Sequence, residues 1–125
     1  ELAKRGDKGA KVFEKAMNQT SNQLARVNAI VGMSQIARMK DEKYAEKIIP
    51  LLKDSDPEIR AQAAKWLGDI KYEPAGQFML ALMVDEYPRA RFFGAEAIGR
   101  IGYQPGFPSL VALLENNDDQ DAYIR

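Results

Sequence analysis

Apolar residues recur three and four apart through most of this chain, and polar, turn-prone clusters interrupt them at regular intervals. Tyr44, Ile48, Leu51 and Leu52 follow that spacing and predict a helix over 43–53, which breaks at Asp54-Ser55-Asp56-Pro57. Pro50 lies inside it and is expected to kink it. Asp56 is a natural N-cap, and Pro57 suits a first turn, where a missing N–H costs nothing. A second helix is therefore expected over about 58–72, stopping before Pro74. The plan then repeats, with helices over 77–85 and 89–103 and another over 107–115. Upstream, 10–18 and 24–39 read as a helix pair joined by a polar linker. No stretch alternates with the two-residue period of a strand, so the chain is predicted to be all-α.

The helix pairs are copies of one another. At an offset of 31, Pro57 falls on Pro88, Arg60 on Arg91, Ala64 on Ala95 and Gly68 on Gly99. The same offset puts Ile70 on Ile101, Tyr72 on Tyr103 and Pro74 on Pro105. At an offset of 34, Arg26 answers Arg60, Ala29 answers Ala63, Met33 answers Leu67 and Ile36 answers Ile70. The closing DAYIR echoes DPEIR, making Arg125 a fourth copy of the arginine. One domain results, with units at about 9–39, 43–72 and 75–103 and a truncated unit at 106–125.

At 100° per residue, the second helix of the middle unit has three sectors. Ile59, Ala63, Trp66, Leu67 and Ile70 form an apolar face about 100° wide, set to meet the partner helix. Glu58, Gln62, Lys65, Asp69 and Tyr72 form the exposed face. Ala61, Ala64 and Gly68 form a stripe of small residues, answered by Ala95 and Gly99, where helices of neighbouring units can approach to about 8–10 Å. Glycine inside a helix costs about 1 kcal/mol relative to alanine, and close packing at the same place in two units is the expected compensation. A lone helix pair cannot bury its apolar face; stacking makes the core continuous.

An apolar first helix, an Asp-Pro turn and then IR-x-x-AA-x-x-LG-x-I resemble HEAT repeats, and most closely the short HEAT-like repeats of the phycobilisome-lyase type. The resemblance covers about 9–125 and is weakest in the first unit, where Ser34 replaces the glycine and Ile30 an alanine. It implies a right-handed α-solenoid, a HEAT-like superhelix of about three antiparallel helix pairs, that binds partners along its concave second-helix surface. It implies no chemistry. The opening ELAKRGDKG reads as the tail of a second helix, and the last residues begin another, so an internal slice of a larger bacterial protein is expected.

Composition removes whole classes of function. With no His and no Cys, the chain alone can build no disulfide, zinc finger, iron–sulfur site, catalytic thiol or His-based triad. No cofactor is expected. Eighteen Lys+Arg balance eighteen Asp+Glu, so no net charge draws nucleic acid or anionic lipid. No apolar run approaches the roughly 18 residues of a membrane span. The charge is uneven, +4 over 1–50, −1 over 51–100 and −3 over 101–125, a gradient that could orient an elongated partner.

Asp54 and Asp85 each precede a recurrent arginine, Arg60 or Arg91, by six residues. An arginine ladder could hold an anionic ligand; the plainer expectation is that each arginine bonds turn carbonyls and an aspartate of its own or the next unit, bracing the hairpin. The candidate partner-binding face runs along the exposed side of the second helices. It comprises Asn28 and Gln35, then Gln62, Lys65 and Asp69, then Phe93, Glu96 and Arg100. Lys65 aligns with Glu96 and Asp69 with Arg100, so opposite charges are expected side by side. Phe93 aligns with polar residues and is expected to point outward, as an interface anchor would. Same-sign rows of Lys or Arg, which a phosphate channel needs, are missing from this face. Asn117, Asp119 and Asp121 have the alternate spacing of a calcium loop, but its glycine position is Ala122 and the closing Glu is absent. Gly6-x-x-Gly9 and the glycosylation triplet Asn18-Gln19-Thr20 both fall at turns.

The leading expectation is a non-enzymatic interaction module that binds a peptide or a neighbouring domain of the same chain on its second-helix face. Alternatively, FEKAMNQTSNQLARVNAIVGMSQIAR resembles segments of large bacterial proteins in which HEAT-like repeats separate a dehydrogenase-like β-propeller from a cytochrome c-type domain. That resemblance implies a structural spacer outside the cytoplasm. A bilin-lyase-like scaffold, cradling a tetrapyrrole or its acceptor protein, is a third possibility on analogy of fold alone.

Overall fold

A computed structural model describes residues 6–19 and 21–116 of the 125. All its regular elements are helical, and among the described residues there is no strand. In order, they are α1 (Asp7–Met17), α2 (Gln23–Met39), 3₁₀ helices Glu42–Lys47 and Ile49–Lys53, α3 (Pro57–Asp69), 3₁₀ helix Glu73–Val84, α4 (Pro88–Ile101), 3₁₀ helix Gln104–Gly106 and α5 (Phe107–Asn116). The helices stack in sequence as an α-solenoid, with α2, α3 and α4 as successive second helices. Arg125 and the acidic run that includes Asn117, Asp119 and Asp121 lie outside the described residues, as does Thr20 of the triplet.

The turns work as their residues suggest. The Asp56 side chain accepts from Glu58 N–H at 2.9 Å, with Pro57 in the first turn of α3. Asn22 caps α2 in the same way, accepting from Ala25 N–H at 3.0 Å.

The first helices of the two middle units differ from expectation, being 3₁₀ instead of α. Over 43–53 there is a break at Ile48, not one kinked helix. Pro50 has no N–H to offer a carbonyl one α-turn back, so the chain winds on three-residue steps instead. Ile48 N–H reaches Ala45 O at 2.9 Å, Leu51 N–H reaches Ile48 O at 3.0 Å and Asp54 N–H reaches Leu51 O at 3.1 Å. In the next unit the first helix begins at Glu73, ahead of the expected 77, with Pro74 in its first turn.

Helix α2 ends at Met39 as expected, but α3 and α4 end at Asp69 and Ile101, earlier than the expected 72 and 103. Lys71 takes a left-handed conformation, φ 55°, and Gly102 does the same at φ 78° one repeat later. Tyr72 N–H then reaches back to Leu67 O at 3.1 Å and Lys71 N–H to Gly68 O at 3.0 Å, the paired bonds that close a helix through a left-handed residue. This reversal turns Tyr72 inward. It is buried, although helical spacing placed it on the exposed face of α3. Tyr103, its counterpart, lies against Gly76, where a Cβ would sit 2.8 Å from the tyrosine Cγ.

One continuous core joins the units. Met17, Ile30, Met33, Ile36, Ile48, Ile59, Leu67, Met79 and Ile98 are all fully buried in it. Helices α3 and α4 share the most extensive interface of any pair of elements. At its centre Gly68 faces Ala97 so closely that a Cβ on Gly68 would lie 2.9 Å from both Ala97 Cα and Cβ. Gly99, the repeat counterpart of Gly68, has nothing within 4 Å of its Cβ position.

Candidate functional site

The sequence-predicted residues divide between a brace at the inter-unit turns and a face along the second helices. In the brace, the buried Arg26 donates from Nε to Met17 O at 2.7 Å, and from Nη1 and Nη2 to the two Asp54 carboxylate oxygens at 3.1 and 2.6 Å. Arg60 donates from Nη1 to Asp54 O at 2.8 Å, and from Nε and Nη2 to both Asp85 oxygens at 2.8 and 3.1 Å. Arg91 donates to Asp85 O at 2.8 Å. Each turn aspartate also accepts from the N–H two residues on, at Asp56 and Tyr87 respectively. Each arginine thus holds a carbonyl of one turn while its fork, for Arg26 and Arg60, grips the aspartate that opens the next. Planar guanidinium forks suit this two-point grip.

The local charges respond accordingly. Hydrogen bonds from Arg26 hold Asp54 below the usual carboxylate pKa against the opposing effect of burial, helped by the Asp56 N–H and the nearby arginine charges. Burial alone would raise Asp85, but the bonds from Arg60 and Tyr87 N–H outweigh it and leave its pKa lowered. Glu58 is also lowered, its burial outweighed by bonds from Arg89, Gln62 and Tyr87.

Inter-unit bonds also cross the second-helix face. Glu58 on α3 accepts from Arg89 Nε and Nη2 at 3.0 and 3.1 Å and from the Tyr87 hydroxyl at 2.6 Å. Gln23 on α2 reaches the Asp56 carboxylate at 3.0 Å. Asp69 takes an ion pair from Arg38 on α2 and lies 4.0 Å from Arg100 on α4, which in turn lies 3.8 Å from Glu96. Gln62 bonds Glu58 and Trp66 within α3. Asn28 and Gln35 on α2 are exposed.

Two expectations for this face change. Phe93 does not stand outward as a bare ring. It is half-buried, edge-on to Phe92 at 5.2 Å, with Lys65 and Arg89 over it at 5.7 and 5.2 Å from its centroid. Nor does Lys65 pair with Glu96. Its ammonium lies over Phe93 and, at 5.2 Å, over Trp66. The tight Gly68–Ala97 approach brings α3 against α4, so Lys65 meets an aromatic surface before it can reach a carboxylate.

Sequence spacing did not single out Arg38, Arg89 or Tyr87. Their partners lie 29–31 residues away in the neighbouring unit, so applying the repeat offset to charged residues would have found them.

Two clefts adjoin the face. One of about 420 Å³ lies between the C-terminal ends of α2 and α3, lined by Arg38, Lys40, Asp41, Glu42, Asp69 and Lys71 among others. Both signs of charge are interleaved there, so it favours no simple ion. The other, about 220 Å³, lies between α4 and α5 and is lined by Phe92, Ala95, Glu96, Leu110 and Leu114. It is mainly apolar. Gly6 and Gly9 lie at the start of α1, where Gly6 has φ 65° and Gly9 is buried. Among the described residues, no cluster of acids could hold a metal, and no helix is long and apolar enough to cross a membrane.

A family profile described as HEAT repeats matches residues 10–92 and again 45–125. No curated protein matches the chain.

Proposed function

Because the chain belongs to the HEAT-repeat family, whose repeats generally mediate protein–protein interaction or scaffolding and are typically non-catalytic, we propose that it is a protein-interaction module whose second-helix face receives a peptide or a neighbouring domain. The observation that carries this reading is the cross-bonding of α2, α3 and α4. Arg26–Asp54, Arg60–Asp85, Arg89–Glu58 and the Arg38–Asp69–Arg100 chain hold three helices in one row. A surface so braced loses little freedom on binding, which is how a preorganised face gains affinity. Asn28→Asp and Gln35→Arg alter only exposed positions. They should abolish co-purification of a partner from source cells while leaving the melting temperature unchanged. Lys53→Glu, on the first-helix side, should do neither. Retention of the same partner by both face variants would refute the assignment.

A further inference from the structure

Among the described residues, the charge pairing of the second-helix face leaves one cation over. Arg38, Lys65, Arg89 and Arg100 lie along it with the carboxylates Glu58, Asp69 and Glu96. Arg89 bonds Glu58, Arg38 pairs with Asp69, and Arg100 lies near both Asp69 and Glu96. No ion pair among the described residues reaches Lys65. Its ammonium instead lies over the Trp66 and Phe93 rings, 5.2 and 5.7 Å from their centroids.

A ring face satisfies an ammonium's charge on one side only, and three N–H donors remain to be placed. A carboxylate arriving from solvent can take one or two of them without displacing the rings. The rings themselves offer an apolar floor to the ligand's hydrocarbon. On α2, Asn28 and Gln35 are exposed amides, each with a donor and an acceptor, suited to the peptide groups of an extended chain. A basic ligand at this spot would meet Lys65 with like charge, whereas an acidic one cancels the surplus. We propose that the face takes an extended peptide segment carrying an Asp or Glu whose carboxylate pairs with Lys65. This rests on the reading of the second-helix face as the partner-binding surface.

The test is selection of a random-dodecamer display library on the 125-residue chain, beside Lys65→Glu and Lys65→Gln. Melting curves establish that each variant is folded. The expected result is enrichment of peptides with Asp or Glu at one position on the native chain, loss of that preference with Lys65→Gln and its replacement by Lys or Arg with Lys65→Glu. The best acidic peptide, labelled and titrated, should bind Lys65→Gln about 10–100-fold more weakly, the usual worth of a charged hydrogen bond. Enriched peptides without an acidic position, or an acidic peptide bound by Lys65→Gln as tightly as by the native chain, would overturn this inference and leave the interaction surface standing. No enrichment on the native chain would overturn this inference alone, since the face could still receive a neighbouring domain, which the Asn28→Asp and Gln35→Arg variants test. A labelled twelve-nucleotide single strand binding as tightly as the selected peptide would also overturn it, since the face would then read phosphate.

Discussion

Adding one methyl group at each of two glycines separates close packing from helix propensity. Gly68 and Gly99 occupy the same repeat position on α3 and α4, so Gly68→Ala and Gly99→Ala each gain about 1 kcal/mol of helix propensity. They differ in what the new Cβ meets. At Gly99 there is nothing within 4 Å, while at Gly68 the Ala97 Cα and Cβ both lie at 2.9 Å. Neither Ala97 atom is the end of a flexible side chain, so relief requires the backbones to part. Restoring ordinary carbon contacts of about 3.5–4.0 Å means moving α3 and α4 apart by roughly 0.5–1 Å. Overpacking of this kind costs about 1–3 kcal/mol. Since the propensity gain is common to both variants, the difference in their stabilities reads that cost directly. Gly99→Ala should be stabilising by about 0.5–1 kcal/mol, and Gly68→Ala should lie about 1–3 kcal/mol below it. In thermal unfolding, a 2 kcal/mol split separates the two melting temperatures by about 6–10 °C for a domain of this size. If Gly68→Ala melted with or above Gly99→Ala, the close α3–α4 approach would be refuted.

Other residues of the scaffold give equally direct tests. Asp54→Ala leaves the buried Arg26 guanidinium without its carboxylate and should destabilise the domain by about 3–5 kcal/mol in urea unfolding. Asp54, Glu58 and Asp85 all have lowered pKa values, so their contribution is complete above the ordinary carboxylate range near pH 4 and is lost as pH falls through their folded values. Melting temperature should therefore drop steeply below about pH 4, and Asp85→Asn, already destabilised at neutral pH, should show a shallower acid limb. Tyr72 is shifted the other way, its pKa raised by burial and by Glu46, Glu42 and Asp41, so its ionisation should destabilise the fold above about pH 10. Lys71→Gly should stabilise by about 1 kcal/mol, because Lys71 holds the left-handed conformation that Gly102 takes without penalty; a melting temperature no higher than that of the native chain would contradict this.

Features that follow from local chemistry or from the repeat were legible in the sequence. Asp56-Pro57 read as a cap and first turn, and the small-residue stripe marked the close approach at Gly68 but also expected one at Gly99, where nothing lies within 4 Å of the Cβ position. What escaped was set by the backbone between repeats or by contact across them. A three-residue winding and a four-residue winding place Ile48, Leu51 and Leu52 on almost the same side, so spacing alone could not separate them over such short lengths. Tyr72 looked exposed because helical spacing was extended past Asp69, and nothing in a lysine announces the left-handed turn at Lys71. The Lys71–Gly102 correspondence was the available signal. The repeat offset assigned Lys65 and Phe93 to one face, and the two side chains meet, Lys65 Nζ lying 5.7 Å from the Phe93 centroid. Their contact depends on how near α3 comes to α4, a distance that Gly68 and Ala97 decide together.

The measurement that tests the interaction surface most directly is photo-crosslinking in source cells, with a benzophenone side chain placed in turn at Asn28, Gln35, Glu46 and Lys53. All four positions are exposed, two on the second-helix face and two on first helices. Adducts of one defined mass from Asn28 and Gln35, with none from Glu46 or Lys53, are the expected result. Adducts confined to Glu46 and Lys53, or equal from all four, would contradict it.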